Sequence, residues 1–428
     1  MTPADEAAAV CLDVGSTWTK AVLVHPDGAL GGFAEHPTTT GDVLTGIDAA
    51  VRAVSAAARS GHEPELLACS SAGGGLRLAV VGSERLVATE AGHRVATSAG
   101  AHVVHVHAGP LEISDVRQLR SARPGAVLLM GGADGDDPSA LLHNAGRLAR
   151  ARIRHPILLA GNAAAREDAL ALLRATGRRV LACDNVLPRR GEVVPGPARE
   201  ALAQLYRRHA IGGRGPMVAP RFRKLVRVVT PDAVGHAATE LARICDARVL
   251  LVDVGCATTD VHSAAGSEAR RTVEGDLGVR AAACGVLVEG QAEGIVDPVE
   301  ADLLGPTVAR MASEVGYVPR DPGSAAEDRR IAALATVIAV RRHLRVHADA
   351  GKAVRLVVLS GGVFRQRDRS GGLAAVVATL RADPVLAPAL ADVPVVVDAD
   401  FAVAPAGLLA ARGRTTAAEA LLRDHLLG

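Results

Sequence analysis

One short pattern occurs twice in this chain of 428 residues. The first copy is Asp13-Val-Gly-Ser-Thr-Trp-Thr-Lys20 and the second is Asp253-Val-Gly-Cys-Ala-Thr-Thr-Asp260. In both, a glycine stands two residues after the aspartate and a threonine four residues after the glycine. An apolar run typical of a buried strand precedes each copy. The duplication predicts two related half-domains, each of which offers a turn to one bound polyphosphate.

Apolar, strand-like runs alternate with helix-like stretches along the chain, which indicates an α/β protein. Three strands are predicted across residues 8–36, and a similar set of three is predicted from 248 to 273. The helix before the second set is predicted to have Thr230 as its N-cap and Pro231 at its first position. Residues 84–190 follow a β-α-β rhythm without the Asp-x-Gly turn, which is typical of an inserted domain.

These patterns predict four segments. They are a first half-domain over 1–83, an inserted α/β domain over 84–190, a linker or surface excursion over 191–228 and a second half-domain over 229–428. The third segment is assigned from its high content of Pro, Gly and Arg.

Composition excludes several classes of protein. The net charge is only +2, whereas a nucleic-acid-binding surface needs a clustered basic excess. No uninterrupted apolar run reaches the about 18 residues of a membrane span, and the acidic N-terminus does not resemble a secretory signal. The six cysteines form no C-x-x-C pair or zinc-type spacing. We therefore expect a soluble, cytoplasmic protein that binds neither nucleic acid nor membranes, with a homo-oligomer left open.

The two turns contain the residue types that bind nucleotide phosphates. Glycines without a Cβ let the main chain approach phosphate oxygens, hydroxyls add donors, and a lysine adds positive charge. The candidate phosphate-binding residues are Gly15, Ser16, Thr17, Thr19, Lys20, Gly255, Thr258 and Thr259. Strand alternation leaves open whether Lys20 points towards the site or away from it.

Carboxylates at the two strand ends are candidates for binding Mg²⁺ and for catalysis. Asp13 and Asp253 are predicted to hold the ion through its water shell, because Mg²⁺ dehydrates reluctantly. Asp260 is a further candidate for the metal or its waters. Glu274 and Asp276 follow a predicted strand, and they either position a water or Mg²⁺ or form a solvated turn.

A third motif, Ser360-Gly-Gly362, follows the buried strand predicted from Arg355 to Leu359. Its two glycines, Gly361 and Gly362, permit close approach of the backbone to a ribose or adenine. No G-x-x-x-x-G-K-[ST] phosphate loop is present in the sequence.

The order of the three motifs resembles the superfamily of actin, the Hsp70 chaperones and the sugar kinases. This resemblance implies two actin-like (RNase H-like) half-domains with an interdomain nucleotide cleft, in which the first two motifs are phosphate loops and the third is the adenosine loop. ATP or ADP with Mg²⁺ are the implied ligands. Cys256 departs from the superfamily, which often has a second glycine there, and this tightens the second turn.

Longer stretches are similar to the MutL/GlmL family, and the similarity extends over nearly the whole chain. They are residues 70–76, 128–135, 143–145, 159–162, 252–263 and 271–278, of which the last two are the most specific. The family implies an ATP-dependent reactivating or protective accessory protein whose partners are subunits of a cobalamin-dependent mutase such as glutamate mutase. Two alternatives remain: a small-molecule kinase of the same superfamily, and a non-catalytic nucleotide-binding scaffold.

Overall fold

The computed structural model describes residues 7–39, 42–56, 63–71, 76–99, 101–151, 153, 155–177, 179–212, 220–365 and 372–428. The chain divides into two compact units, of which one comprises Met1–Gly74 with Ala210–Gly428 and the other Gly75–His209. Residues 72–75, in the glycine run of the first family-like stretch, lie outside the described residues. Among the described residues, no helix has the length and apolar character that crossing a bilayer requires.

The strands and helices alternate as the sequence predicts. The strands are β1 (Ala9–Val14), β2 (Trp18–Val24), β3 (Leu30–Pro37), β4 (Glu65–Ser70), β5 (Leu76–Gly82), β6 (Ala101–Ala108), β7 (Ala126–Leu129), β8 (Ile157–Leu159), β9 (Val180–Ala182), β10 (Val226–Val229), β11 (Arg248–Val254), β12 (Thr259–Ala265), β13 (Glu268–Glu274), β14 (Val354–Ser360) and β15 (Val395–Val397). The helices are α1 (Val43–Ser55), α2 (Arg85–Ser98), α3 (Ile113–Ser121), α4 (Ser139–Arg150), α5 (Arg166–Arg174), α6 (Gly196–Gly212), α7 (Pro220–Leu225), α8 (Thr230–Cys245), α9 (Ala283–Ala292), α10 (Pro298–Ser313), α11 (Pro322–Val346), α12 (Gly372–Ala382), α13 (Ala387–Leu390), α14 (Val403–Ala411) and α15 (Thr415–Leu422).

The first unit contains two five-stranded sheets of the same topology, ordered β10-β4-β1-β2-β3 and β15-β14-β11-β12-β13. In each sheet the first three strands in sequence are antiparallel and the last two run parallel to the first. The two registers also correspond, since Asp13 pairs with Lys20 as Asp253 pairs with Asp260. This duplication confirms the predicted pair of actin-like half-domains.

A shared hydrophobic core joins the two sheets. It combines residues of β1 and β2 with residues of β11, β12 and β14, and with the apolar faces of α8, α14 and α15. The helices α8 and α14 pack closely, because a Cβ added at Gly407 would collide with the backbone carbonyl of Ala233. The second half-domain has a further core beneath α11, which is buried along most of its length.

The second unit is a doubly wound α/β domain. Its sheet is parallel throughout and has the order β6-β5-β7-β8-β9. The helices α2 and α6 cover one face of this sheet, whereas α3, α4 and α5 cover the other. Strands that are buried on both faces read as short apolar runs in the sequence, and those runs predicted most of this sheet.

The inserted unit is longer than the predicted 84–190 segment. Its first strand, β5, lies within the residues assigned to the first half-domain, and the unit ends at His209. The predicted linker, 191–228, contains α6, α7 and β10. The strand β10 completes the first sheet beside β4.

Candidate functional site

A cavity of about 730 Å³ is lined by residues from both half-domains of the first unit. It brings together most of the predicted site, namely Asp13, Gly15, Ser16, Thr17, Lys20, Asp253, Gly255, Gly361 and Gly362. Its volume lies within the range of about 300–1,000 Å³ that is typical of small-molecule sites.

The first loop, Gly15–Thr17, is a closed turn between β1 and β2. The amide of Gly15 donates to the carbonyl of Trp18 (3.0 Å), and a Cβ added at Gly15 would lie 2.7 Å from that same oxygen. Glycine is therefore required by the turn itself. The Thr38 hydroxyl donates to the Gly15 carbonyl (2.9 Å) and its amide to the carbonyl of Thr17 (2.8 Å), which fixes the loop from β3.

The second loop, Gly255–Thr258, closes in the same way. The amide of Gly255 donates to the carbonyl of Thr258 (2.9 Å). The segment after β13 then holds the loop, because Val279 donates to the Gly255 carbonyl (3.0 Å) and Arg280 to the carbonyl of Cys256 (2.9 Å). Cys256 thus fits the turn and lines the cavity.

These turns determine which amides remain available. Because the Gly15 and Gly255 amides are used within the turns, they cannot also donate to a phosphate. Within the described part of the chain, the amides of Ser16, Thr17, Cys256, Ala257 and Thr258 make no hydrogen bond. They are therefore the main-chain donors that the two loops offer.

Asp13 is a paired carboxylate. Lys20 Nζ lies 3.1 Å from its Oδ2, and the Thr230 hydroxyl donates to its Oδ1 at 2.7 Å. Lys20 therefore points into the cavity. The predicted N-cap role of Thr230 is wrong, because α8 begins at Thr230 itself and its hydroxyl bonds Asp13 from the other half-domain.

Asp253, in the equivalent position, is unpaired. Its carboxylate has no hydrogen bond or ion pair to any residue that the structure describes. Burial, followed by the negative charge of Asp260, raises the pKa of Asp253 to about 7. A partly buried carboxylate on the cavity wall without a partner fits a divalent cation, which would supply the missing positive charge.

The described residues offer no cluster of three or more His, Cys, Asp or Glu side chains for direct ligation of a metal. Mg²⁺ commonly uses only one or two carboxylates and keeps several waters. The arrangement around Asp253 thus fits Mg²⁺ better than it fits a metal that needs several direct protein ligands.

Four predicted site residues do not line the cavity. The Thr19 hydroxyl shares a hydrogen bond with that of Thr38 (3.0 Å), and the Thr259 hydroxyl donates to the carbonyl of Leu277 (2.6 Å). The carboxylate of Asp260 accepts from Thr258 (3.1 Å) and pairs with Arg271 (2.6 Å). These side chains brace the loops from within the protein, and Asp260 acts on the cavity through its charge.

The third loop packs against the end of β11. Gly361 has φ +137°, and an added Cβ would collide with the carbonyl oxygen of Val254. The preceding Ser360 donates to Asp398 (3.1 Å), which also accepts the amide of Ala402 (2.6 Å) before α14. Asp398 is buried, and this burial raises its pKa.

Several cavity residues were not predicted. Arg280 forms a buried bidentate pair with Asp328 (2.8 and 3.1 Å) and donates to the carbonyl of Tyr317 (3.0 Å). Arg365 lies over the ring of Phe401, with its guanidinium carbon 5.3 Å from the ring centroid. The position of Arg365, three residues after Gly362, was the available signal for a cation near the third loop.

Glu274 and Asp276 do not form a solvated turn. Both pair with Arg342 of α11, at 3.0 and 2.9 Å. Burial raises the pKa of Glu274 to about 7, against the opposing effect of Arg342. These contacts fasten the segment that carries Val279 and Arg280 to α11.

This chain is similar in sequence to one known protein family. A family profile described as MutL protein matches residues 9–426. The chain belongs to this MutL family. Protein MutL of Clostridium tetanomorphum is 30% identical over 404 residues, which cover 83% of this chain and 86% of that relative.

Solved structures with detectable similarity are more distant. They include nucleotide-free acetone carboxylase (TM-score 0.39, 11% identity, 94% of this chain and 70% of that chain) and the ethanolamine utilization protein EutJ of Carboxydothermus hydrogenoformans (0.33, 12%, 98% and 91%). A ROK-family glucokinase of Streptomyces griseus, solved with glucose and AMPPNP, matches with a TM-score of 0.35 at 12% identity over 97% of this chain and 99% of that chain.

Proposed function

We propose that this protein binds ATP with Mg²⁺ in the cavity and hydrolyses it, as an accessory protein that reactivates or protects a cobalamin-dependent mutase such as glutamate mutase. The convergence of three loops on one cavity, beside an unpaired Asp253, carries the nucleotide part of the proposal. Membership of the MutL family supports the mutase part.

In this proposal each loop has a separate task. The amides of Ser16, Thr17 and Cys256 bind phosphate oxygens, and Lys20 neutralises part of their charge. Asp253 would hold Mg²⁺ through its waters, and a bound ion would supply positive charge to the phosphates. Gly361 and Gly362 face the adenosine.

Asp13 has a positioning task that follows from its contacts. Lys20 and Thr230 contact both of its oxygens, so Asp13 is held in one orientation on the cavity wall. In this position it would orient water around a bound Mg²⁺, and together with Asp253 it forms the proposed catalytic pair. Asp260 is not retained among the proposed Mg²⁺ residues, since Arg271 and Thr258 occupy its oxygens.

Substitution of the two carboxylates tests the site. We expect Asp253→Asn to abolish the Mg²⁺-dependence of ATP affinity and to lower the hydrolysis rate by a factor on the order of 10² to 10³. Asp302→Asn, which changes an exposed carboxylate on α10, is the matched control. Unchanged ATP affinity and hydrolysis in both Asp13→Ala and Asp253→Ala would show that the assignment is wrong.

Recovery of mutase activity tests the cellular role. The protein should co-purify with a cobalamin-dependent mutase, and adding it with ATP and Mg²⁺ should restore a mutase inactivated by turnover. The Asp253→Asn variant should restore far less. Equal recovery with and without ATP would contradict an ATP-dependent role.

A small-molecule kinase remains the second candidate, and Glu35 favours it. This exposed carboxylate lines the same cavity, lies across the strand pair from Lys20, and has no partner among the described residues. A general base for a phosphoryl acceptor needs such a position. ATP turnover that requires an added sugar or acid, and that Glu35→Gln removes, would support the kinase. A non-catalytic nucleotide-binding scaffold, the other alternative, predicts binding of ATP without hydrolysis.

A further inference from the structure

Aromatic residues are scarce in this chain and concentrate at the cavity. The sequence contains four Phe, two Tyr and one Trp. Of these seven, the cavity is lined by Trp18, Phe33, Tyr317 and Phe401. A core built almost entirely from Ala, Val and Leu does not need aromatic side chains there. Their position indicates a ligand with a flat or apolar part.

Part of the cavity extends along β3, away from the first loop. The strand β3 contributes Leu30, Gly31, Gly32, Phe33 and Glu35 to its lining. In the sheet, Glu35 pairs with Lys20, and Phe33 pairs with Val22, two residues further from the first loop. The buried Val22, which pairs with Phe33, also lines the cavity. This part of the cavity is an apolar extension beyond Lys20 that none of the nucleotide motifs explains.

Two phenylalanines dominate this extension. The rings of Phe33 and Phe401 lie 5.7 Å apart in an edge-to-face arrangement, and Phe33 is 46% exposed. Phe401 has φ +57°, which is costly for a bulky residue and is found where the surroundings or the function require it. Phe401 is buried (3% exposed), so the half-exposed ring of Phe33 supplies most of the aromatic surface available for a ligand.

The charges around Phe401 define the polar end of the ligand. Lys20 Nζ and the Arg365 guanidinium lie 5.6 and 5.3 Å from the centroid of this ring. Asp13 neutralises Lys20, whereas Arg365 has no ion pair within the described residues. The charge of Arg365 opposes the raised pKa of the buried Asp398, but no salt bridge among the described residues occupies its guanidinium. A guanidinium in this position beside aromatic surface suits a carboxylate or a similar anion.

We propose that the cavity contains a second subsite, formed by Phe33, Phe401 and Arg365, for a small organic anion with a flat, apolar body. This proposal rests on the proposed function, because the anion occupies the cavity together with the nucleotide. The nucleotide occupies the region between the three loops. The second ligand occupies the part of the cavity along β3, beside Phe33.

Benzoate is the smallest suitable probe. Its binding is measured by calorimetry on the full chain saturated with AMPPNP and Mg²⁺, and by the fluorescence of Trp18, the one tryptophan, which lines the cavity. We expect benzoate to bind the saturated protein and to change the Trp18 signal. We expect benzyl alcohol, which has a similar body without the charge, to bind about tenfold more weakly. Competition between benzoate and AMPPNP, or equal affinities for the two probes, would overturn the proposal.

A variant of Phe33 tests the location. Phe33→Ala should weaken benzoate about fivefold, whereas Leu303→Ala, a 71% exposed residue on α10, should not change it. An unchanged benzoate affinity in Phe33→Ala would overturn the subsite, and so would an equal loss of benzoate and AMPPNP affinity. A separate AMPPNP titration distinguishes the two proposals. If AMPPNP does not bind but benzoate does, the nucleotide function fails and the anion site remains.

Discussion

Asp13 and Asp253 occupy equivalent positions in the two sheets, yet only Asp13 has partners. The register of both strand pairs places each aspartate one residue before the last pair of its hairpin. At the cross-strand position the first half has Lys20 and the second has Asp260. The positive charge of Lys20 stabilises the Asp13 carboxylate, whereas the negative charge of Asp260 opposes ionisation of Asp253. One difference in charge at the cross-strand position therefore gives the two aspartates different chemistry.

Removal of the Thr230 hydroxyl tests this asymmetry. Thr230→Val removes a buried donor to a carboxylate, and we expect the free energy of unfolding to fall by about 1–3 kcal/mol. Nucleotide affinity should fall with it, since Asp13 loses one of its two fixed contacts. Thr239→Val on the same helix is the control, because that hydroxyl only bonds the carbonyl one turn earlier. Equal urea midpoints for the two variants would contradict the role of Thr230.

The third loop offers a matched pair of glycines. Gly361→Ala should destabilise the protein and displace the loop, because the new Cβ would meet the Val254 carbonyl at a backbone angle that disfavours side chains. Gly362→Ala should keep its stability, since its Cβ would contact only the end of Arg365, at 3.4 Å. Thermal unfolding of both variants is the measurement, and a larger loss for Gly362→Ala would refute this account.

The sequence predicted which residues converge, but not how they pair. Residue types and strand ends were sufficient to place nine candidate residues at one cavity. The partner of Asp13 was missed because Thr230 is 217 residues away, and a Thr-Pro pair at the start of a helix is locally typical of a cap. Local patterns carry no information about which side chain another half-domain will supply.

At the scale of elements, the segment between β13 and α9 connects the second loop to α11. Glu274, the last residue of β13, and Asp276 in this segment contact Arg342. Arg280 of the segment contacts Asp328, and the segment's backbone holds Gly255 and Cys256. A shift of α11 would therefore reach the second loop through these ion pairs.

The Arg280–Asp328 pair is the strongest test of that connection. Asp328→Ala leaves the Arg280 charge buried without its partner, and we expect a loss of about 3–5 kcal/mol in the free energy of unfolding. Glu314→Ala breaks the Arg310–Glu314 pair, whose side chains are both 58% exposed, and should cost less than about 1 kcal/mol. Chemical denaturation measures both. Similar costs would show that Arg280 is not effectively buried.

A buried histidine of α11 makes stability depend on pH. His343 bonds Thr272 (3.0 Å) and Ser263 (2.9 Å), and burial, followed by the charges of His347 and Arg270, lowers its pKa to about 3 from 6.5. Between these values the unfolded chain binds a proton that the folded protein excludes. The contribution of neutral His343 is therefore complete above pH 6.5 and falls by about 1.4 kcal/mol per unit as the pH decreases towards 3.

Comparison of histidine variants isolates this effect. His343→Gln should be less stable than the unchanged protein at pH 7 but should lose less stability between pH 7 and pH 5. His236→Gln, at an exposed position of α8, should follow the unchanged protein at both pH values. Urea midpoints at the two pH values give the comparison. Parallel losses in all three proteins would assign the pH dependence to other groups.

At the scale of the whole molecule, the cavity belongs to one compact unit. All of its lining residues lie within 13–71 or 230–404, outside Gly75–His209. The inserted unit has its own sheet, with a separate core on each face. The proposed nucleotide function and the inserted unit are thus separable in the chain.

Deletion of the inserted unit tests this separation. Replacement of residues 76–209 by a short Gly-Ser linker should retain AMPPNP–Mg²⁺ binding within about threefold, as measured by calorimetry. If the inserted unit is the surface for the mutase, the same variant should no longer restore the inactivated enzyme. Loss of nucleotide binding in a folded deletion variant would show that the cavity depends on the inserted unit.

The limits of the inserted unit were the least predictable part of the fold. An insertion was indicated because the Asp-x-Gly pattern stops and a parallel rhythm begins. Its start was missed at β5, a short apolar strand of seven residues, and its end at α6, which begins at Gly196. A strand such as β5 suits either sheet by composition, and only long-range pairing decides between them.

The position of β10 has a consequence for synthesis on the ribosome. The first sheet places β4 between β1 and β10, but β10 emerges only after all of Gly75–His209. For a period on the order of ten seconds the nascent chain carries β4 with one edge open. An open strand edge favours wrong pairing, so rapid folding of the inserted unit would shorten the unprotected stretch of nascent chain. The insertion thus delays completion of the first sheet during translation, and the edge of β4 is covered only after β10 has been synthesised.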